Sequence, residues 1–186
     1  ELAAAGISAD DIPVVAFSDG EEELSGLDTS NLVGHLAAWN YFQSVEAPEN
    51  DEFIKKWQDF TKPGRVTNDP MEAHYIGFNM WVKAVEKVGS TDVDVVRPAM
   101  YGITYPNLTG GIAVMNTNHH LTKPVLIGEI QADGQFETVW QTSGGVIGDA
   151  WTDHLPDSAR LVADWSAPIM CGNFNIDTSK CSGQNY

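Results

Sequence analysis

The groups in this chain that could do chemistry are two cysteines, five histidines and a surplus of carboxylates. Cys171 and Cys181 flank nine residues in a tail rich in Gly, Asn and Ser. That spacing fits no common zinc pair, and no His follows to complete a site. A disulfide closing a short loop is the plain reading, worth about 2–3 kcal/mol by loop closure; two free thiols are the alternative. A bridge implies an oxidising compartment such as a periplasm. His119-His120 is the most suggestive metal signal. Adjacent side chains on an extended segment point opposite ways, however, and Asn116 and Asn118 make a polar loop the simpler expectation. His35 and His74 lie in apolar elements and read as satisfied core or interface histidines. A carboxylate pair for acid–base work can always be imagined in so acidic a chain, but no spacing singles one out.

Phosphate loops, dinucleotide fingerprints, zinc-protease helices and nucleophile elbows are absent from the sequence. Gly110-Gly111 and Gly144-Gly145 are isolated pairs that read as turns. No catalytic machinery is visible, which favours a binding protein over an enzyme and calls for no cofactor and no metal. With 10 Lys plus Arg against 26 Asp plus Glu, the 186-residue chain carries a formal charge of −16. That charge argues against nucleic acid and anionic membranes as partners. An apolar fraction of 42% suits a folded chain, and no apolar run approaches the ~18 residues that span a bilayer.

The elements that must position these groups alternate between strand and helix. Glu1–Gly6 reads as the end of a helix closed by glycine. Pro13–Phe17 is a short apolar run of the kind found in strands buried on both faces. Glu21-Glu22-Glu23 suits the first turn of a short helix, where carboxylates meet the positive end of the dipole. Leu32–Phe42 reads as a second strand leading into a loop. Phe53, Ile54, Trp57 and Phe60 recur at helical spacing, with Pro63-Gly64 as the stop. Asp69-Pro70-Met71-Glu72 offers an N-cap, a Pro at the first helical position and a capping-box Glu. Met71, Tyr75, Phe78, Val82 and Val85 form one stripe behind it, and Gly89 closes the helix. Thr91-Asp92-Val93-Asp94 opens another short helix, ending near Gly102. Ile112–Met115 is a strand, and 124–131 and 136–142 flank an Asp133-Gly134 hairpin signal. The last forty residues read as an extended, wrapping tail. The class is α/β with a mixed sheet.

Several segments resemble, in order and spacing, the substrate-binding protein of urea-type ABC transporters. They are Asp11-Ile-Pro-Val-Val-Ala-Phe-Ser18, Gly20-Glu-Glu-Glu-Leu24 and Gly34-His-Leu-Ala-Ala-Trp-Asn-Tyr-Phe42. Thr67-Asn-Asp-Pro-Met-Glu-Ala-His-Tyr-Ile-Gly-Phe78, Tyr105-Pro-Asn-Leu-Thr-Gly-Gly111 and Asn118-His-His-Leu-Thr-Lys-Pro-Val-Leu-Ile-Gly-Glu-Ile130 complete the set. The likeness extends to Trp165, and the amide sensors of amidase operons are more distant relatives. It implies a type I periplasmic-binding-protein fold, with Rossmann-like lobes that close on a small ligand like a clamp. This chain would be about the C-terminal half, its partner the missing N-terminal part of its own chain. On that reading 1–66 belongs to the second lobe and 67–110 supplies helices returning to the first. Residues 111–165 form a hairpin and crossover region, and 166–186 the tail with its disulfide.

The implied ligand is urea or a short-chain amide, captured outside the cytoplasm without catalysis and passed to ABC permease subunits. Urea needs in-plane acceptors, a donor at its oxygen and aromatic faces. Ligands in such folds meet the loops at the carboxyl ends of strands, which nominates Ser18 and Asp19. In related branched-chain amino-acid binders an acidic residue near this position grips the ligand's ammonium. Urea receptors are expected to carry an apolar residue at position 19, so Asp19 adds an amide acceptor or signals a cationic, amino-acid-like ligand. Trp39 and Tyr41 are candidates for an aromatic wall, and Asp69, Met71 and Tyr75 for the helix facing the cleft. An amide-sensing regulator of the same fold and an amidase-type enzyme are the alternatives.

Overall fold

The computed structural model describes residues 3–148, 161–164 and 171–181. The chain divides after Gly148 into two compact units.

The first unit contains a mixed sheet of four strands, β1 (Val15–Ala16), β2 (Leu36–Trp39), β6 (Leu126–Ile130) and β7 (Phe136–Gln141), in that spatial order. β1 runs parallel to β2, and β2, β6 and β7 are successively antiparallel. β6 and β7 form the hairpin expected from Asp133-Gly134. Gly134 holds φ +77° and Gln131 N–H donates to Gln135 O, so the turn needs the glycine. Between β1 and β2 lies α1 (Glu21–Leu24), whose first turn is the acidic triplet; Glu23 Oε2 accepts from Gly20 N–H at 2.9 Å. A 3-10 turn at Thr29–Asn31 follows. The core beneath this sheet is Leu24, Ala37, Phe42, Leu126, Ile130 and Phe136. Phe42 stacks on Phe136 at 4.6 Å between ring centres, and the missing side chain of Gly128 makes room for the Phe42 ring and the Phe136 Cβ.

A second core lies on the other side of residues 39–43. α2 (Pro48–Phe60), α3 (Asp69–Val88) and α4 (Val93–Met100) pack with a small antiparallel sheet of β3 (Thr104–Pro106), β4 (Ile112–Met115) and β5 (Leu121–Thr122). Its buried members are Tyr41, Phe53, Ile76, Met80, Leu108, Ala113 and Met115. Tyr41 and Phe42 are neighbours in sequence, yet each anchors a different core.

The structure corrects several expectations. β1 is two residues long and sits at the sheet edge; Val15 is 42% exposed and Phe17 75%, so it is not buried on both faces. Only Leu36–Trp39 of the second apolar run is strand. α3 is capped by Asn68, whose side chain accepts from Met71 N–H at 3.2 Å, with Pro70 in its first turn. Asp69 is therefore not the N-cap, and Glu72 is not half of a capping box. The buried face of α3 is Glu72, Ile76, Met80 and Ala84. The expected stripe lies about one residue off that face, with Phe78 57% exposed and stacked on Trp81. His35 is buried, its Nδ1 accepting from Val14 N–H, as a satisfied core histidine should be; His74 is exposed. His119 and His120 lie in the polar turn between β4 and β5, where Tyr101 Oη is 3.1 Å from His119 Nε2. Among the described residues, no group of three or more His, Cys, Asp or Glu could hold a metal.

The second unit contains a three-stranded antiparallel sheet of β8 (Leu161–Asp164), β9 (Cys171–Asn175) and β10 (Lys180–Cys181) in the order β10-β9-β8. The tail is thus partly sheet rather than wholly extended wrapping chain. Cys171 and Cys181 are bonded across the β9–β10 hairpin with Cα atoms 6.3 Å apart, inside the usual disulfide range. Trp165 and the residues up to Met170 lie outside the described residues.

Candidate functional site

β1 and β2 are parallel, so their carboxyl ends open onto the same side of the sheet. Ser18 and Asp19 leave β1 there, exposed. Trp39 ends β2, and its Nε1–H donates to the Asp19 carbonyl at 2.8 Å, which pins the loop to the strand end. Asp19 is exposed, and its carboxylate makes no hydrogen bond or ion pair among the described residues. Gly20 packs closely against Asn68 and the Trp39 indole; a Cβ there would lie 3.5 Å from the Asn68 Cβ. The N-terminus of α3 thereby joins the two strand ends. The structure brings Ser18, Asp19 and Trp39 together, with Asp69 one residue beyond the cap.

The remaining candidates are placed differently. Tyr41 is fully buried; its hydroxyl lies 2.7 Å from Asn50 Oδ1 and 2.7 Å from Thr67 Oγ1. Burial holds the phenol well above its ordinary range, so it is a neutral core group and not an exposed aromatic wall. Met71 and Tyr75 are half-buried against the second core. Tyr75 lies 4.9 Å from the Phe53 ring and 6.1 Å from Tyr105, and Lys56 Nζ is 3.4 Å from its hydroxyl. These two residues line packing, not the strand-end loop.

Asp69 has a role that its sequence neighbourhood does not show. Its Oδ2 accepts from Asn40 N–H at 2.8 Å, holding the backbone just after Trp39. Burial raises its pKa, and Lys123 opposes that rise. Glu72, one turn into α3, is ion-paired with Lys123 and both side chains are almost wholly buried. Glu21, at the start of α1, is 1% exposed and accepts from Gln43 N–H at 2.6 Å; burial pushes its carboxyl up to about 7. Asn40 Nδ2 donates to Pro124 O at 2.6 Å, and Gln43 Oε1 accepts from Thr67 N–H at 2.6 Å. Glu21, Glu72 and Lys123 were not legible as a unit: they are far apart in sequence, and each alone reads as a surface charge. Lys123 faces Asp69 and Glu72, and Asp69 and Glu21 hold the backbone just after Trp39 through Asn40 and Gln43 N–H. A depression of about 460 Å³ reaches Glu21 and Gln43, and one of about 660 Å³ runs along β7; neither is lined by the seven nominated residues.

Residues 1–157 match the family model described as a periplasmic binding protein domain. An amino-acid ABC transporter substrate-binding protein from Pseudomonas fluorescens Pf-5 superposes with a TM-score of 0.62 at 25% identity, covering 82% of this chain and 40% of its own. A solute-binding protein of an ABC transporter from Rhodopseudomonas palustris BisB5, solved with 3,4-dihydroxybenzoic acid, gives 0.62 at 19% identity over 82% and 41%. A protein named limonene hydroxylase, from Geobacillus stearothermophilus, is 34% identical over 133 residues, which are 71% of this chain and 24% of that protein. The chain spans about a quarter of that relative and about two fifths of those structures. With a matching model over most of its length and a mixed sheet flanked by helices, the chain has a type I periplasmic-binding-protein fold and belongs to the periplasmic binding protein domain family.

Proposed function

We propose that the chain supplies the C-terminal part of a two-lobed solute-binding clamp of an ABC transporter, and that the clamp captures urea or a short-chain amide. The observation that carries this reading is the junction of Ser18, Asp19 and Trp39, tied by the indole-to-carbonyl bond at the carboxyl ends of two parallel strands. It offers a hydroxyl, a carboxylate with no hydrogen bond or ion pair among the described residues, and an aromatic ring. A planar amide has N–H donors for the carboxylate and hydroxyl, and a face for the ring. The rest of the cleft, in this reading, comes from a first lobe in the preceding sequence, toward which 67–110 returns. Residues 1–66 belong to the second lobe, 111–165 carry the hairpin and crossover, and 166–186 the disulfide tail. The Cys171–Cys181 bridge supports a periplasmic location. Delivery is to the permease subunits of the transporter, with no nucleic acid partner.

A second ligand class is favoured by one feature. The exposed Asp19 carboxylate suits an ammonium as well as an amide, so an amino-acid-like or other cationic solute is the alternative.

The role is capture, not catalysis: the junction presents no nucleophile paired with a base. Incubating the protein with urea or acetamide and assaying ammonia tests that point, and steady release of ammonia would refute it. The ligand is tested by calorimetric titration of the intact protein with urea, formamide, acetamide, amino acids and benzoates. Saturable binding of an amide alone supports the reading. Binding of an amino acid or a benzoate without any amide replaces it.

A further inference from the structure

The two cores of the first unit meet at a polar joint. Three stretches of chain cross there: 39–43, which sends Tyr41 into one core and Phe42 into the other; 67–72, which opens α3; and 123–124, which leads from β5 into β6. Side chains, not backbone ladders, fasten them. Asn40 bonds Asp69 and Pro124, Gln43 bonds Thr67 and Glu21, and Lys123 bonds Glu72.

The joint is buried and its charge is unbalanced. Glu21, Asp69, Glu72 and Lys123 are all buried; the Lys123 ammonium faces Asp69 and Glu72, while Glu21 faces other carboxylates. Glu21 faces Asp69 and Glu23, and Glu72 faces Lys123 and Asp69. The neutral Tyr41 hydroxyl lies near both Glu21 and Glu72, and Arg65 is taken by Glu22. Glu21 Oε2 and Glu72 Oε1 are buried with no hydrogen-bond partner among the described residues. An orphaned carboxylate oxygen in a dry site is tolerable when protonated and costly when ionised, unless water reaches it.

We propose that this joint is a proton-linked hinge: protonated carboxyls hold the two cores together, and ionised ones draw water into the joint and let the cores move. Burial keeps the Glu21 carboxyl at about 7 and raises Glu72, so the change falls near neutrality. Opening hydrates both groups and returns them toward the ordinary carboxylate range. It therefore releases protons and becomes easier as pH rises. Trp39 and Asn68 adjoin the hinge residues Asn40 and Asp69, so the motion carries the strand-end loop with it. The inference needs no ligand, and its test stands apart from the ligand reading.

Hydrogen exchange on the intact, unliganded protein tests it, each amide's rate being referred to its intrinsic rate at that pH. Protection of the Asn40 and Gln43 amides should fall by about tenfold or more between about pH 5.5 and about pH 8.5. Protection of Met80 and Ala84, inside α3, should change by less than about twofold. Glu21→Gln keeps an acceptor for Gln43 N–H and removes one charge, so it should shrink the fall at Gln43 by at least about threefold. Constant protection at Asn40 and Gln43 in the wild-type protein would overturn the hinge. So would a parallel loss at Met80 and Ala84, which means global loosening, or a full-sized fall in the Glu21→Gln protein.

Discussion

Replacing Lys123 with methionine removes the cation that faces Glu72 and keeps most of the stem's packing. The Lys123 and Glu72 side chains are 7% and 0% exposed, so solvent cannot take over the lost interaction. Glu72 is then left buried and facing the Asp69 carboxylate. Breaking a buried pair from one side costs about 3–5 kcal/mol. For a chain of this size that is a fall in the thermal midpoint of about 6–20 °C, at about 2–4 °C per kcal/mol. Adding Glu72→Gln should restore most of the loss, because the pair's worth lies in compensating two buried charges more than in net attraction. The loss should also shrink in acid, where a protonated Glu72 needs no cation. Urea unfolding followed by circular dichroism at about pH 8 and about pH 5, on the single and double variants, measures all three effects. A Lys123→Met protein within about 1 kcal/mol of wild type at pH 8, or a double variant as unstable as the single, refutes the reasoning.

Glu21 makes stability depend on pH with a definite sign. Its folded pKa of about 7 lies above the ordinary 4.5, so its contribution is intact below 4.5 and lost as pH rises through 7. The loss is at most about 3 kcal/mol at ~1.4 kcal/mol per unit; the urea midpoint should fall across that window, and Glu21→Gln should flatten the curve. Gly128→Ala would place a Cβ 2.6 Å from two atoms of the Phe42 ring, so it should cost about 1–3 kcal/mol by differential scanning calorimetry. An unchanged midpoint there would mean that the Phe42–Phe136 stack has slack. Cys171→Ser opens a bridge between residues ten apart in sequence and should destabilise the second unit by about 3 kcal/mol. Faster proteolysis between 171 and 181 reads that loss, and an unaltered cleavage rate contradicts it.

The parts of the fold that were legible in the sequence are those whose causes are local. Asp133-Gly134 makes its turn through glycine's backbone freedom, and the acidic triplet meets the start of α1 through the helix dipole. The helix expected at Thr91–Asp94 forms, but its cap is Asp92, which bonds Asp94 and Val95 N–H, one residue after the start of the motif. The errors arise where a distant residue decides. Asn68 and Asp69 are equally good caps by composition; Asp69 is withdrawn from that role by Asn40, 29 residues earlier. Glu72 looked like a capping partner because its cation stands 51 residues later. The same ignorance shifted the stripe of α3, since a pattern of apolar residues cannot count a buried glutamate as core. The site divides on the same line. The placement of Ser18, Asp19 and Trp39 at neighbouring strand ends followed from the strand pattern, whereas the burial of Tyr41 did not, because Asn50 and Thr67, which engage its hydroxyl, lie beyond its own element.

The central claim, that the strand-end junction grips a small amide through Asp19, is tested most directly by calorimetric titration of the intact protein and its Asp19→Ala variant with urea and acetamide. The account predicts saturable binding by the wild type and affinity about ten- to a hundredfold weaker in the variant, the cost of leaving ligand N–H groups unpaired. Equal affinity in the two proteins, or no amide binding by the wild type alongside tight binding of an amino acid, would contradict it.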